Sequence, residues 1–200
     1  MKVNMLWNYK TTGIPDELFL RTELVPITKE EIRAIVLSKL RLKETDSIID
    51  IGCGSGSITV ELCLQCTKGN VYAVDMDKKA LDLTKKNLDR FRVNAILRYG
   101  KVQDIIDSFP TVNGIVIGGT NGEIEYIIER SINKLEKEGR LVITTIQIDT
   151  MYKGIKSVKD SNLLKDLDFT QISVLKGKNT PTGTMMLARN PVLIISATKK

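Results

Sequence analysis

The sequence predicts an α/β protein built on a doubly wound sheet of seven strands, mostly parallel, with one antiparallel hairpin at an edge. From residue 47 onward, short segments rich in Val and Ile alternate with helical segments, and this alternation is typical of parallel strands joined by helices. The last two apolar segments follow one another with no helical pattern between them, which predicts an antiparallel pair.

The N-terminal segment, residues 1–27, has no periodic pattern and is expected to be irregular. A helix is expected directly after Thr28, because Thr28 and Glu31 have the spacing of a capping box. Ile27 and Ile32 can form the hydrophobic staple that often accompanies such a box. The first helix is therefore predicted to have its N-cap at Thr28.

Predicted strands and helices then alternate along the chain. Strands are predicted from runs of aliphatic residues at 47–51, 70–75, 95–99, 114–117, 140–147, 169–175 and 185–197. Helices are predicted from apolar residues spaced three and four apart at 58–65, 78–91, 102–108, 123–135 and 151–164. All of these elements are expected to belong to one domain that spans residues 1–200.

The composition excludes several classes of chemistry. The chain has 200 residues, with 30 Lys and Arg against 24 Asp and Glu, and it has no histidine. Without histidine it cannot carry a Ser-His-Asp triad, a Cys-His pair or an imidazole metal ligand. Its three cysteines are too few for an all-cysteine tetrahedral zinc site within one chain, and too unevenly placed for a disulfide framework. No metal is therefore expected.

Charge and hydropathy limit the partners. The net charge of +6 favours an anionic partner, either nucleic acid or a small molecule with many carboxylates or phosphates. No apolar run approaches the ~20 residues that a membrane-spanning helix needs, and the first ten residues lack the apolar core of a signal peptide. A cytoplasmic location without a membrane partner is expected.

The strongest motif is SIIDIGCGSGSITVEL, residues 47–62. A predicted strand leads into Asp50 and the alternating glycines of Gly52–Gly56, and a helix follows; glycines allow a sharp turn and a close approach to a ligand. The second strand ends in Asp75, whose carboxylate can accept hydrogen bonds from both hydroxyls of a ribose. The spacing G-x-G-x-G differs from the G-x-G-x-x-G of dinucleotide folds, so the ligand is expected to carry a ribose without a diphosphate.

This combination of strand, glycine turn, helix, strand and acidic strand end resembles the class I S-adenosylmethionine (SAM)-dependent methyltransferases, over about residues 47–147. Those enzymes have a Rossmann-like fold with a seven-stranded sheet, which the predicted final hairpin fits. The resemblance implies SAM as the cofactor. It also implies that Asp50 and the glycine turn surround the methionine part of SAM, and that Asp75 binds the ribose.

Four further segments resemble a narrower family, namely GIPD at 13–16, PITKEEIR at 26–33, IGGTNGE at 117–123 and GTMMLARNPV at 183–192. In this order, around DIGCGSG and AVDMD, they resemble the cobalt-precorrin carbon-15 methyltransferases (decarboxylating) of cobalamin biosynthesis. That family converts cobalt-precorrin-6B to cobalt-precorrin-7 by methylating carbon 15, and an acetate side chain loses carbon dioxide. The resemblance implies a corrinoid substrate with many carboxylates, no nucleic-acid partner, and a homotetramer.

Residue roles follow from the same resemblance. The implied cofactor-binding residues are Thr28, Asp50, Gly52, Cys53, Gly54, Ser55, Gly56, Asp75 and Val102. The implied substrate-binding residues are Gly119, Thr120, Asn121 and Arg189, and weaker candidates for pairing substrate carboxylates are Arg21, Lys29, Arg33 and Lys176. No catalytic acid or base is identified. The family's Gly-Asp-Ala is replaced here by Gly100-Lys101-Val102, so an acidic contact to adenine is missing.

Two other functions fit the same motifs. One is a tRNA or rRNA methyltransferase that uses the positive charge to bind nucleic acid, although aromatic residues are not interleaved with the basic residues. The other is a SAM-binding regulatory or assembly protein without activity. The C-x-x-C pair of Cys63 and Cys66 is expected to be buried in a helix rather than to serve redox chemistry.

Overall fold

A computed structural model describes residues 6–120 and 122–200 of the chain. Its helices are α1 (Glu30–Leu40), α2 (Ser57–Gln65), α3 (Lys78–Phe91), α4 (Val102–Ile105), α5 (Ile124–Lys134) and α6 (Ile148–Asp160). Its strands are β1 (Ile48–Ile51), β2 (Val71–Asp75), β3 (Ile96–Tyr99), β4 (Val112–Ile117), β5 (Leu135–Thr145), β6 (Leu164–Ile172), β7 (Leu175–Thr180), β8 (Gly183–Ala188) and β9 (Val192–Lys199). Asn121, one of the predicted substrate contacts, lies outside the described residues.

Seven strands form one sheet in the order β3-β2-β1-β4-β5-β9-β6. The first five strands along the chain pair in parallel, and β9 is antiparallel to both of its neighbours, β5 and β6. The predicted doubly wound sheet with one antiparallel hairpin at an edge is therefore confirmed. The strand order reverses between β1 and β4, and in such sheets this reversal opens a crevice at the carboxyl ends of the strands.

Both faces of the sheet are buried, as a parallel sheet requires. Ile49 and Ile51 of β1 face a cluster that includes α5, whereas their neighbour Ile48 faces a second cluster with Val36 of α1 and Leu62 of α2. The alternation of side chains along β1 thus divides the helices into two layers. None of the helices in the described ranges is long and apolar enough to cross a membrane.

The C-terminal strands differ from the prediction in number. Residues 185–197, predicted as one strand, form β8 and β9, and an additional strand, β7, precedes them. β7 and β8 pair with each other to form a separate two-stranded ribbon that connects β6 to β9. Pro191 interrupts the predicted strand because it cannot donate to a ladder. The apolar residues of β8 have the sequence pattern of a core strand, but all six residues of β8 are exposed in the structure.

The predicted capping box at the start of α1 is wrong. The N-cap is Lys29, and no side chain caps the helix at this end. The carbonyl of Thr28 accepts a hydrogen bond from the Arg33 guanidinium, and the side chain of Glu31 pairs with cations of the C-terminal region. Burial of the Arg33 guanidinium explains the difference, because every donor of a buried guanidinium needs an acceptor and the Thr28 carbonyl is one of these acceptors.

Candidate active site

The glycine turn between β1 and α2 lies at the reversal of strand order, where the sequence places it. The amides of Gly52 and Cys53 both donate to the carbonyl of Val74 in β2, at 2.9 and 3.2 Å. Gly52, Gly54 and Gly56 all have positive φ angles, of 72°, 56° and 75°. Only glycine adopts this series of angles without strain, so the alternating glycines of the motif are explained by backbone conformation.

A second turn, at the end of β4, packs directly against the first. The amide of Gly118 donates to the carbonyl of Ile51 at 2.9 Å. A Cβ atom on Gly52 would lie 2.6 Å from the amide nitrogen of Gly119. The two backbones are therefore in van der Waals contact, and Gly119 and Thr120 are brought beside the glycine turn.

Asp75 ends β2 with a carboxylate that is already oriented. Its Oδ2 accepts from the amide of Gly54 at 2.9 Å, and its Oδ1 accepts from the amide of Asp77 at 2.9 Å. Each oxygen keeps a further lone pair for a ligand. The acidic strand end predicted to bind ribose is thus fixed against the glycine turn by two backbone hydrogen bonds.

A first cavity of about 310 Å³ opens beside this carboxylate. Apolar side chains of the N-terminal segment and of β2, the backbone of both turns, and the start of α4 form its walls. Among the wall residues are Val25, Pro26, Gly52, Gly54, Asp75, Met76, Val102, Gly119 and Thr120. The structure therefore brings six of the predicted cofactor and substrate positions to one cavity, namely Gly52, Gly54, Asp75, Val102, Gly119 and Thr120.

A second cavity, of about 660 Å³, shares the walls Pro26, Gly52, Gly54 and Gly118 with the first. Its other walls come from the start of α1, the end of β5 and the segment between β8 and β9. They include Thr28, Lys29, Asp50, Cys53, Thr144, Thr145, Ile146 and Arg189. Pro26 and the Thr144–Ile146 segment are not among the predicted site residues. The position of residues 144–146 directly at the end of a parallel strand is a signal that could have indicated them.

Asp50 is almost completely buried on β1, and its Oδ2 accepts a hydrogen bond from the Thr59 hydroxyl at 2.6 Å. Burial raises the pKa of Asp50 to about 7, and the nearby charge of Asp75 adds to this rise, whereas the Thr59 hydrogen bond opposes it. Burial likewise raises the pKa of the Cys53 thiol, with a further contribution from Asp50. The Cys53 thiol is therefore protonated and has no nucleophilic character at neutral pH.

The remaining glycine-turn positions contact α3. The carbonyl of Ser55 accepts from the side-chain amide of Asn87 at 2.8 Å, and a Cβ on Gly56 would lie 2.7 Å from Thr84. The same Asn87 amide bonds the backbone of Leu20 in the N-terminal segment, with its oxygen 2.8 Å from the Leu20 amide. Asn87, which sequence reasoning did not single out, thus joins the glycine turn to the N-terminal segment.

The candidate cations separate into two groups. Arg33 is completely buried and its guanidinium is used by Asp16, Glu61 and two backbone carbonyls, so it cannot reach a substrate. Lys176 pairs with Glu30 and Glu31 of α1. Lys29 and Arg189 line the second cavity, with side chains that are about one third exposed. Arg21 is exposed on the N-terminal segment.

The C-x-x-C cysteines lie apart from both cavities. Cys63 and Cys66 are buried free thiols that line a third cavity, between the end of α2 and the segment before β3. Burial raises the pKa of each thiol to about 12. The predicted burial of this pair agrees with the structure.

The sequence and the fold are both similar to those of known precorrin-modifying proteins. Residues 22–199 match the family described as precorrin methyltransferase domain. A protein of Saccharolobus solfataricus named probable cobalt-precorrin-6B C(15)-methyltransferase (decarboxylating) is 43% identical, over 98% of this chain and 100% of its own length. The crystal structure of precorrin-8W decarboxylase from Methanobacterium thermoautotrophicum is 30% identical with a TM-score of 0.86, covering 92% of this chain and 98% of that one. That of precorrin-6Y C5,15-methyltransferase from Geobacter metallireducens is 31% identical with a TM-score of 0.87, covering 96% and 100%.

Proposed function

The chain belongs to the precorrin methyltransferase family, and from this membership we propose that it methylates carbon 15 of cobalt-precorrin-6B with loss of carbon dioxide from an acetate side chain. The product is cobalt-precorrin-7. The observation that carries the proposal is the pair of adjoining cavities, one beside the Asp75 carboxylate and the other beside Lys29 and Arg189. A relative that is 43% identical over its full length bears the name of this activity.

We propose SAM as the methyl donor. The residues fit it, because the missing Cβ atoms of Gly52 and Gly54 leave bare backbone at the cavity wall, and the Asp75 carboxylate is fixed there with free lone pairs. Asp75 would hold the ribose hydroxyls, the backbone of the glycine turn would lie along the methionine part, and Val102 would lie beside the adenine. When bound, SAM supplies a methyl group that its sulfonium centre already activates.

The work of the protein in this reaction is positioning. Methyl transfer needs the donor and the acceptor carbon held close and nearly in line, and two cavities with a shared wall can provide that arrangement. Histidine, the usual acid-base residue, is absent from the sequence and is not required for this step. Lys29 and Arg189 would hold carboxylates of the corrinoid, and a cation near the reacting acetate would stabilise the electrons left by carbon dioxide.

The test is a reaction with purified protein, SAM and cobalt-precorrin-6B without oxygen, followed by mass spectrometry of the corrinoid. We expect a product that has gained one methyl group and lost one carbon dioxide. No change in the mass of the corrinoid would contradict the proposal. A parallel reaction with bulk tRNA tests the RNA methyltransferase alternative, and SAM binding without transfer to either acceptor would favour a non-enzymatic role.

We also propose that the chain acts as one catalytic domain, in the cytoplasm, as a homotetramer. The family match over residues 22–199 supports a single domain. The three free, buried cysteines support a reducing compartment. Exposed apolar side chains of the β7–β8 ribbon, Leu175, Met185, Met186 and Leu187, support self-association.

A further inference from the structure

The segment Gly13–Asp16 has no part in the function proposed above, yet hydrogen bonds hold it against α1 and α2. Glu61 of α2 accepts hydrogen bonds from the amides of Gly13 and Ile14, at 2.8 and 3.1 Å. Asp16 follows Pro15 and is only 2% exposed. A buried carboxylate costs free energy unless it is paired, so its partners indicate what it does.

The first partner of Asp16 is Arg33. Asp16 Oδ1 accepts from Arg33 Nη1 at 2.9 Å. Arg33 has a second carboxylate, Glu61, whose Oε1 accepts from Arg33 Nε at 2.7 Å. Because Glu61 alone balances the charge of Arg33, the negative charge of Asp16 remains available to other cations.

Those other cations are the two that line the second cavity. Asp16 Oδ2 lies 3.5 Å from Lys29 Nζ and 3.9 Å from Arg189 Nη1. Arg189 also lies 3.4 Å from Glu31. Lys29 comes from the N-cap of α1 and Arg189 from the segment after β8, so one buried carboxylate joins cations from two distant parts of the chain.

We propose that Asp16 is a positioning residue that holds Lys29 and Arg189 together at the wall of the second cavity, as a paired binding point for carboxylates of the substrate. This inference rests on the proposed function for the substrate class, a macrocycle with many carboxylates. A long cationic side chain loses conformational freedom when it binds an anion. Lys29 and Arg189 are already held in place by Asp16, so they lose less conformational freedom when a substrate carboxylate binds.

Asp16 has two opposing effects on the affinity of the second cavity for an anion, one through its own negative charge and one through the positions of Lys29 and Arg189. Removing a negative charge near an anion site strengthens anion binding, whereas releasing the two cations weakens it. The side chains of Lys29 and Arg189 are 35% and 30% exposed, so water and salt screen the field at the point where a substrate carboxylate would pair with them. We therefore expect the loss of position to be the larger effect.

The experiment measures the binding of uroporphyrin, a macrocycle with eight carboxylates, by fluorescence titration, and of SAM by calorimetry. Asp16→Asn is expected to weaken uroporphyrin binding by about 5- to 30-fold, with SAM affinity changed by less than about twofold. Glu44→Gln is the control, because Glu44 forms an exposed ion pair with Lys68 and does not contact Asp16, Lys29 or Arg189. Its uroporphyrin affinity is expected to match that of the wild type.

The same substitution in a Lys29→Met/Arg189→Met background isolates the positioning role. Asp16→Asn is expected to have no further effect there, because the residues through which it acts are absent. An equal loss in both backgrounds, unchanged or tighter binding by Asp16→Asn, or no binding of uroporphyrin by the wild type would overturn the inference.

A second variant covers the case in which Asp16→Asn does not fold. Asp16→Glu keeps the charge but moves the carboxylate by one methylene, so it is expected to weaken uroporphyrin binding, and wild-type affinity would contradict the role in positioning. Uroporphyrin binding does not depend on turnover. Failure to convert cobalt-precorrin-6B would therefore overturn the proposed function while leaving this test intact.

Discussion

The proposed role of the Asp75 carboxylate in SAM binding can be tested by replacing this one residue. Asp75→Ala is expected to weaken SAM binding by about 1.5–3 kcal/mol, roughly 10- to 150-fold, because charge-assisted hydrogen bonds to the ribose are lost. Isothermal titration calorimetry measures the change. Asp82→Ala, which removes an exposed carboxylate from α3, is the control and should leave SAM affinity unaltered. Equal affinities for the Asp75 variant and the wild type would contradict the ribose assignment.

Asp50 predicts a pH dependence of stability. Its pKa is raised by burial from 3.8 to about 7, so between these values the folded state holds a proton that the unfolded state has released. The free energy of unfolding therefore falls as pH rises from about 4 to about 7, by up to about 1.4 kcal/mol per pH unit, and this contribution is constant above that range.

Asp50→Asn should remove this contribution, since the amide oxygen can still accept from Thr59 and does not titrate. Urea unfolding of the ligand-free protein at pH 5 and pH 8 gives the comparison. We expect the variant to lose less stability than the wild type between the two pH values. Identical losses would show that Asp50 is ionised throughout.

At the scale of elements, the contact between the two turns depends on glycine. Gly52→Ala places a methyl group 2.6 Å from the Gly119 nitrogen and keeps a φ of 72°. Gly122→Ala is the matched control, because its φ is 88° but no atom of the described residues 6–120 and 122–200 lies within 4 Å of an added Cβ. The control is expected to cost about 1–2 kcal/mol of stability, and Gly52→Ala about 1–3 kcal/mol more, as measured by urea unfolding. Equal costs would mean that the turns can separate freely.

Elements whose signals are local could be predicted closely. The bounds of α3 are predicted to the residue from the apolar residues along one face, and the structure shows that the Asp77 side chain caps its start by accepting from the Lys79 amide. The start of α1 could not be predicted, since the capping box competes with the buried guanidinium of Arg33, whose partners lie far away in the sequence. A local sequence pattern does not show which distant residues will pair with a buried side chain.

The part of the candidate site that depends on strand ends could be predicted, whereas the part that depends on side-chain contacts between distant segments could not. Strand ends place the glycine turn, Asp75 and Gly119 at one cavity, because the carboxyl ends of parallel strands meet at one edge. The pairing of Asp16 with Lys29 and Arg189 joins three segments by side-chain contacts, and neither spacing nor composition contains that information.

At the scale of the whole molecule, the exposed ribbon predicts the mode of assembly. Met186→Glu places a charge on an exposed ribbon residue, so the fold of the single chain should be unaffected. If the ribbon forms the subunit contact, this variant is expected to sediment as a smaller species than the wild type. Leu24→Glu, an exposed apolar position on the N-terminal segment, is the control. Unchanged sedimentation of the ribbon variant would exclude the ribbon from the interface.

The position of β9 has a consequence for how the molecule forms during synthesis. β9 pairs with β5 on one side and β6 on the other, although β5 ends at Thr145 and β9 begins at Val192. In the described sheet β6 has β9 as its neighbour, so it cannot join the sheet until residues 192–199 have left the ribosome. The parallel half of the sheet can assemble on the nascent chain, whereas the wall of the second cavity that carries Arg189 is completed last. Closure of this long loop is an entropic cost that slows the final step of folding.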